Sequence, residues 1–385
     1  MKPTTFFKST FFFLFILFLF SRNSLFAETK TWTAATDSNW ATDSNWEPTG
    51  TPKATDEVII PNLTPTIKGG TTVFIKSLSV QLGASLSIEN KAVLNIDGST
   101  NSGIFNAGIV SNSGQINIGA SGAISHSGIF SNKTFTNEIG GEINIDQTGS
   151  HGIYSNSGAQ FTNKGTIHIG ANKTISLDGI HNRGNFTNES EGEITSDRAK
   201  HGINNYAFQA VFTNKGKVTI GAIAQVRANG YYNNVGRGNN SGEGEINIVN
   251  ARWAGIANQW SFFAGAKFVN HACATIRTSV RIHNTRDFEN YGFIFSDYCG
   301  NHFNGKDGGW YPHNPYFLNK GTIEDLHNSF EGFTYPLNNQ GLIISPTCGG
   351  TTIFSDILTI GNNNNFTVST DWYSDEALTM DGGDY

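Results

Sequence analysis

The sequence predicts an all-β protein, a right-handed parallel β-helix with rungs of about 25 residues grouped in a 51-residue double repeat. The pentapeptide FTNKG at 161–165 returns unchanged at 212–216. Segments of the types GIxxN and GxIxI recur in every repeat, so each repeat holds three short β-prone pieces separated by Gly and Asn turns. Such a period built only from short strands is typical of a solenoid. An asparagine marks each rung, in the order Asn112, Asn137, Asn163, Asn188, Asn214 and Asn240.

Two kinds of corner alternate along the repeat. After Asn112 the next apolar strand residue comes four positions later, at Ile116, whereas after Asn137 it comes six positions later, at Ile143. The same alternation continues through the following asparagines. FTNKG is therefore the short corner, which recurs on every second rung.

Residue alternation predicts which side chains face the core. In Phe161-Thr162-Asn163 the phenylalanine and the asparagine share one side of the strand, and the threonine faces water. Asparagine tolerates left-handed turn conformations, and its amide can bond the backbone or the next asparagine of a stack. We therefore expect the repeated asparagines to form an inward column that is structural.

The main alternative fold is a β-propeller, because kelch-like blades run near 50 residues. A blade has four longer strands, whereas each 51-residue stretch of this chain contains about six short ones. The strand count therefore favours the β-helix.

Four regions follow from the pattern. Residues 1–27 are predicted to be a signal peptide, with two lysines ahead of the apolar run 11–20, which is too short to span a bilayer as a helix. Residues 28–62 are predicted to form a Trp-rich N-terminal cap containing Trp32, Trp40 and Trp46. The β-helix is expected over 63–345, with a loop insertion near 296–315. Residues 346–385 are expected to be a C-terminal cap or the start of a further region.

Charge and cysteine content limit the partners. The predicted signal holds three of the 25 basic residues and none of the 31 acidic ones, so the exported chain would carry a net charge of −9. An acidic chain without a basic block is a poor ligand for nucleic acid or anionic membranes. After the signal no segment is long enough to span a membrane. The three cysteines form no CxxC motif, and their spacing leaves the pairing open among Cys273, Cys299 and Cys348.

The motifs WTAATDSNW and NWEPTGTPKATDEVIIP, followed by rungs of the type FTNxGxIxI, make the chain resemble exported bacterial adhesin-like parallel β-helix (β-solenoid) proteins. The resemblance runs from Thr31 to about Pro346. It implies a secreted or cell-surface protein that is non-catalytic and adhesive. The expected partner is an extracellular polysaccharide or a cell-surface glycan or protein.

Catalytic, cofactor and metal motifs are not found, so we expect none of these sites. His151 and His201 lie 50 residues apart before equivalent glycines, but the next copy is Ala254, and two distant histidines alone do not predict a metal site. Repeated acids are interpreted as solvated corner carboxylates, because every copy is equivalent whereas an active site is normally unique. These acids are Glu142, Glu193 and Glu245 in one column and Asp146 and Asp197 in another.

The alternative function is that of a polysaccharide lyase or glycoside hydrolase, two enzyme classes that use β-helix scaffolds. Its site is expected in the irregular segment Ser296–Pro315, which holds the only irregular polar cluster seen in the sequence. That cluster comprises Asp297, His302, Asp307 and His313.

A row of outward-facing planar side chains is the candidate binding surface. The residue after each Gly-Ile pair should point away from the core, and successive rungs should set these residues about 4.8 Å apart. Such a row could stack on sugar rings; the alternative is that it only shields a corner. The row consists of Phe105, Phe130, Tyr154, His181 and Tyr232, with Asn204 between the last two.

Overall fold

Three sheets, each built from one short strand per rung, form the faces of a parallel β-solenoid of about eleven rungs spaced about 25 residues apart. The computed structural model describes residues 27–259, 266–297, 316–325, 338–345, 356–360 and 364–368. One 3₁₀ turn, Asp43–Asn45, is the single helical element in these residues. The predicted all-β fold and its rung length are confirmed. No helix in the described part of the chain could cross a membrane.

The bounds of the strands follow, in order along the axis. Sheet 1 contains Trp46–Glu47, Thr29–Trp32, Glu57–Ile60, Ser77–Val80, Ile104–Asn106, Ile129–Ser131, Ile153–Ser155, Ile180–Asn182, Ile203–Asn205, Tyr231–Asn233, Ile256–Asn258 and Ile282–Asn284. Sheet 2 contains Thr66–Ile67, Ser85–Ile88, Ile109–Asn112, Thr134–Asn137, Gln160–Asn163, Asn185–Asn188, Val211–Asn214, Arg237–Asn240, Lys267–Asn270, Asp287–Asn290, Phe317–Asn319 and Asn338–Asn339. Sheet 3 contains Thr72–Ile75, Val93–Ile96, Gln115–Ile118, Glu142–Ile145, Thr166–Ile169, Glu193–Ser196, Lys217–Ile220, Glu245–Ile248, Thr275–Thr278, Phe293–Ser296, Thr322–Asp325, Leu342–Ser345, Asp356–Ile360 and Asn364–Val368.

Stacked phenylalanines fill the core beneath sheet 2. Along Gln160–Asn163 the residues Phe161 and Asn163 are buried and Thr162 is half-buried on the outer side, as the alternation predicts. Neighbouring rings lie nearly parallel, with centroids 4.7 to 5.4 Å apart. Each buried ring contributes about 1.5–3 kcal/mol. The stack consists of Phe135, Phe161, Phe186 and Phe212.

A ladder of buried amides runs beside this stack. Each asparagine Nδ2 donates to the Oδ1 of the next asparagine at 2.7–2.9 Å, from Asn112 through Asn319. The same Nδ2 donates to a carbonyl that closes its own corner. Asn163 reaches Gly165 O in a short corner, and Asn188 reaches Gly192 O in a long corner. One side chain thus satisfies both corner types, because in both the carbonyl that precedes the next strand returns to the same place.

A second amide ladder ends the strands of sheet 1. Its members bond in the same way at 2.8–3.0 Å and are fully buried. Four of its residues stand three positions after the glycine of the Gly-Ile element or its Gly-Tyr variant, and the fifth stands three positions after Arg281. The sequence pattern does not predict their hydrogen-bonding role. The ladder consists of Asn182, Asn205, Asn233, Asn258 and Asn284.

The corner after sheet 3 also alternates between two forms. The aspartates of this corner correct one prediction. Gly119 adopts a φ of +73°, and a Cβ there would collide with the carbonyl of Asp146 on the next rung. Asp146 and Asp197 are buried, not solvated as expected. Asp146 Oδ1 accepts the backbone N–H groups of Asn172 and Lys173, so the carboxylate holds the following turn in place. The repeated aspartates are structural clamps.

Three tryptophans close the N-terminal end. Trp32, Trp40 and Trp46 are buried and meet edge to face, with centroids 4.9 and 4.6 Å apart. Trp46 Nε1 donates to the carbonyl of Trp40 at 2.8 Å. The strand Thr29–Trp32 pairs in parallel with Glu57–Ile60 and antiparallel with Trp46–Glu47. The first edge of sheet 1 is therefore a short antiparallel strand, a form that discourages further strand addition.

The stacking continues beyond the predicted loop insertion. Residues 298–315 lie outside the described residues, but Phe317–Asn319 pairs in parallel with the preceding strand of sheet 2. The last two strands of sheet 3 are antiparallel to their neighbours. Cys273 is an exposed free thiol, whereas Cys299 and Cys348 lie outside the described residues.

The large side chain of Tyr231 in sheet 1 fills the space that Gly238 leaves in the core beneath sheet 2. Gly238 occupies the place in the phenylalanine stack between Phe212 and Phe268. Tyr231 stands in sheet 1 where neighbouring rungs have isoleucine, and its ring fills the gap, meeting both phenylalanines edge to face at 5.6 and 5.3 Å. A Cβ on Gly238 would collide with the Tyr231 hydroxyl and the Phe268 ring.

We predict that this pair is energetically coupled. Tyr231→Ile should leave a cavity and cost about 2–4 kcal/mol, and Gly238→Phe should overpack the core at a cost of about 1–3 kcal/mol. The double substitution restores the regular stack, so it should recover at least about 1 kcal/mol relative to the sum of the single changes. Urea denaturation of the four proteins measures the coupling, and strict additivity would contradict it.

The amide ladder yields a second prediction. Asn163→Ala and Asn188→Ala should each cost about 1–3 kcal/mol, because each leaves buried corner carbonyls without a donor. Thr162→Ala is the matched control on the same strand and should be nearly neutral. The free energy of unfolding from denaturant titration measures all three. Equal losses at Thr162 and Asn163 would show that the inward column carries no special stabilisation.

Candidate functional site

The outer face of sheet 1 carries the predicted binding row. Register pairs join consecutive members directly, from Phe105 to Phe130, Tyr154, His181, Asn204 and Tyr232. Phe105 is 39% exposed, and Phe130 and Tyr154 are half-buried. His181 and Asn204 are buried, so the expectation that all of them face open solvent is wrong for these two.

Four of these side chains form one continuous stack. The ring centroids are 5.7 Å apart for Phe105–Phe130, 4.8 Å for Phe130–Tyr154 and 5.0 Å for Tyr154–His181, with interplanar angles of 6° to 16°. Tyr232 stands apart and stacks on His201 at 4.8 Å. The predicted row is thus a four-ring stack followed by a separate pair.

Stacking changes what the row can offer a ligand. The faces of Phe130 and Tyr154 are covered by their neighbours, so these rings present edges outward. The register neighbour of Phe105 on the other side is Ser79, which has no ring. Phe105 therefore has the one ring face of the stack left uncovered by another ring among the described residues, and flat stacking on a sugar is limited to that end.

A groove of 580 Å³ lies over this end of the row. Its floor holds Phe105, Phe130 and Tyr154, and hydroxyl groups of Ser79 and Ser102 lie beside them. A smaller hollow of 260 Å³ lies further along the same face, lined among others by Lys200, His201, Tyr232, Trp253 and Arg281.

A polar cluster lies between the two hollows. Asp178 Oδ2 is 2.8 Å from His181 Nδ1 and 3.3 Å from His151 Nδ1, and it accepts a hydrogen bond from Asn204 Nδ2 at 2.9 Å. All four residues are at least 91% buried. His151 and Asp178 occupy the same loop position on consecutive rungs, just before the glycine of the Gly-Ile pair, and His181 follows on the strand. The solenoid geometry therefore brings them together.

The cluster differs from its repeat-related copy. The N–H of Asp178 donates to His151 Nδ1 at 3.3 Å, and two rungs later the N–H of Asn229 donates to His201 Nδ1 at the same distance. The backbone arrangement is thus repeated, but an amide replaces the carboxylate in the second copy. Asp178 is what makes the first copy unique.

Burial and hydrogen bonding set the charges. Burial alone would raise the pKa of the Asp178 carboxyl, but the imidazoles of His151 and His181 beside its Oδ2 hold this pKa well below its usual range. Burial lowers the pKa of His181 in spite of the adjacent carboxylate. Burial also lowers the pKa of His201 to about 4. At neutral pH the cluster therefore contains a carboxylate beside the neutral imidazole of His181.

The sequence did not reveal this cluster. The repeat relates His151 to His201 and not to Asp178, and alternation places His181 in the aromatic row. The interpretation that the irregular polar groups lie only in Ser296–Pro315 is wrong, because a cluster lies in the regular rungs. A usable signal was the column before the glycines, where Ser127, His151 and Asp178 follow one another. The segment 298–315, with His302, Asp307 and His313, lies outside the described residues.

We predict an acid-dependent loss of stability that originates at His201. Its folded-state pKa lies below the ordinary 6.5, so the unfolded chain binds the proton more tightly. The stabilisation is complete above pH 6.5 and is lost as the pH falls towards 4, by up to about 3 kcal/mol. The nearby charged or titratable groups are Asp178, Lys200 and His181.

His201→Asn keeps an acceptor for the Asn229 N–H and removes the titration, so its melting temperature should fall less than that of the wild type between pH 7 and 4.5. His126→Asn, at an exposed histidine, is the control and should follow the wild type. Identical pH profiles for His201→Asn and the wild type would contradict the assignment.

Comparison with known proteins gives one match. Residues 31–293 match the family described as "Domain of unknown function (DUF8693)". No curated protein and no solved structure matches the chain. The matched segment includes the aromatic stack, the Asp178 cluster and the smaller hollow. It also includes the groove, apart from Thr29 at the N-terminal margin of that groove. Because the match covers more than half of the 385 residues, the chain belongs to this family.

Proposed function

We propose that this chain is a non-catalytic, exported binding protein that holds a glycan segment in the groove at the Phe105 end of sheet 1. The observation that carries the proposal is the uncovered face of Phe105 in a 580 Å³ groove with hydroxyl groups beside it. A ring face against the apolar side of a sugar, with hydroxyl groups at its margin, suits a neutral carbohydrate.

The shape of the scaffold supports an elongated ligand. Successive rungs advance by about 4.8 Å, so the groove floor from Ile59 through Ser79 and Phe105 to Phe130 extends along the axis. Contacts along such a surface are individually weak, and a polymer engages several of them together, which raises its apparent affinity. The same geometry supports adhesive attachment to a cell-surface glycan as the biological role.

Charge supports the choice of a neutral ligand. The sequence has 31 acidic and 25 basic residues. Glu57 contributes an acidic side chain to the groove and is paired with Lys76 at 2.8 Å, and no lysine or arginine lies among the described residues that line it. An acidic polysaccharide would therefore find no basic side chain in that lining with which to pair.

The experiment is a retention assay against neutral and acidic polysaccharides, with chain scission measured in the same samples. Phe105→Ala should weaken retention of a neutral polysaccharide about tenfold, because it removes the uncovered ring face. Phe74→Ala is the matched control: Phe74 is 54% exposed on the outer face of sheet 3, and its loss should leave retention unchanged.

Two outcomes would contradict the proposal. Equal retention by wild type and Phe105→Ala would place the binding surface elsewhere. Scission of a polysaccharide would favour the alternative of a lyase or hydrolase, and loss of scission in Asp307→Ala or His302→Ala would assign it to the segment 296–315.

A further inference from the structure

The strongest unassigned feature is the cluster around Asp178. Possible ligand atoms of His151, Asp178 and His181 all lie within 4.8 Å of one another. In a tetrahedral zinc site with bonds of about 2.0–2.1 Å, neighbouring ligand atoms are roughly 3.3 Å apart. The two separations from Asp178 Oδ2, 3.3 and 2.8 Å, lie close to that value.

Burial leaves the carboxylate short of positive charge. Asp178 is 3% exposed, and among the described residues no lysine or arginine forms a salt bridge with it. Three nitrogen atoms, from His151, His181 and Asn204, crowd around its single Oδ2. Buried charges in proteins are normally paired or coordinate a metal.

An orphaned acceptor provides the second, independent observation. Asn204 Oδ1 is buried and has no hydrogen-bond partner among the described residues, although its Nδ2 donates to Asp178. A buried amide oxygen without a donor is costly, and a cation beside Asp178 would satisfy it. The structure thus brings two imidazoles and one carboxylate to one point, next to a residue with a spare amide oxygen.

We propose that His151, Asp178 and His181 bind one divalent zinc ion on the outer face of sheet 1, with Asn204 as an additional oxygen donor. Two imidazoles and one carboxylate suit zinc, whereas calcium requires six to eight oxygen ligands. Binding replaces the long contact between the Asp178 N–H and His151 Nδ1. The proton on His181 Nδ1 is displaced to solvent, and Nε2 of that ring takes up a proton.

This proposal does not depend on glycan binding, because the cluster lies beyond the Tyr154 end of the groove. The ion would be held by side chains from two consecutive rungs and by Asn204 on the next rung, so binding would join these rungs together. It would therefore raise the melting temperature of a chain that binds no carbohydrate.

The repeat itself supplies conservative test variants. Asn229 occupies the position equivalent to Asp178, Ser127 the position equivalent to His151, and Phe130 the position equivalent to His181. Asp178→Asn, His151→Ser and His181→Phe therefore place in the cluster residues that other rungs already accommodate. His168→Asn, on the outer face of sheet 3, is the matched histidine control.

The experiment uses the untagged chain after removal of metals by a chelator. Zinc titration against a competing indicator should show one ion per wild-type chain, and cobalt(II) in its place should give visible absorption bands of a four- or five-coordinate site. Each of the three cluster variants should weaken zinc binding at least roughly tenfold and abolish the bands, while His168→Asn should bind as the wild type does.

Several results would overturn the zinc site. They are the absence of saturable binding to the wild type, unchanged affinity in Asp178→Asn, or selective binding of calcium. If a cluster variant fails to fold by circular dichroism, the other two decide the outcome. Unaltered binding in those two would also reject the site.

Discussion

The buried amide ladders are the interaction on which the rest of this structure depends. In a solenoid every corner leaves carbonyl groups pointing inward, and each must find a donor because water is excluded. Asn112 and its successors provide that donor to their own corner, to the next rung and to the next amide at once. The ladder therefore sets the register of successive rungs, and the phenylalanine stack and the isoleucines of sheet 3 follow from that register.

The same constraint explains why the corners alternate without disturbing the sheets. A long corner after the asparagine is accompanied by a short one after sheet 3, and the reverse holds on the next rung, so from Asn112 to Asn240 the asparagine interval stays at 25 or 26 residues. Gly119 permits the close approach of one rung, and Asp146 holds the turn of the following one. The double repeat is thus a pair of complementary rungs.

Functional features arise where this regularity is broken. The inward positions must keep amides and apolar groups, but the outward column of sheet 1 is free to vary, and it changes from Phe105 to His181 within four rungs. Where rings lie on consecutive rungs they cover one another's faces, so the ring face that can contact a ligand lies at the end of the stack. Where a carboxylate enters the neighbouring column before the glycines, at Asp178, it meets histidines of its own rung and of the preceding one. A regular scaffold thereby places single substitutions next to each other in a predictable geometry.

The sequence by itself determined the strand content, the rung length, the alternating corners and the inward positions of Phe161 and Asn163. Each is a local consequence of two-residue alternation and of turn chemistry, and the repetition made the pattern readable.

Only the tertiary structure decided which outward groups are covered. Asp146 and His181 have sequence neighbours typical of exposed residues, yet they are buried by contacts with rungs about 25 residues away. The pairing of His151 with Asp178 depends on a distance between different rungs. The same is true of the Tyr231 ring, which fills the space left by Gly238. Alternation within one strand carries no information about those distances, so it predicted the aromatic row but not the Asp178 cluster.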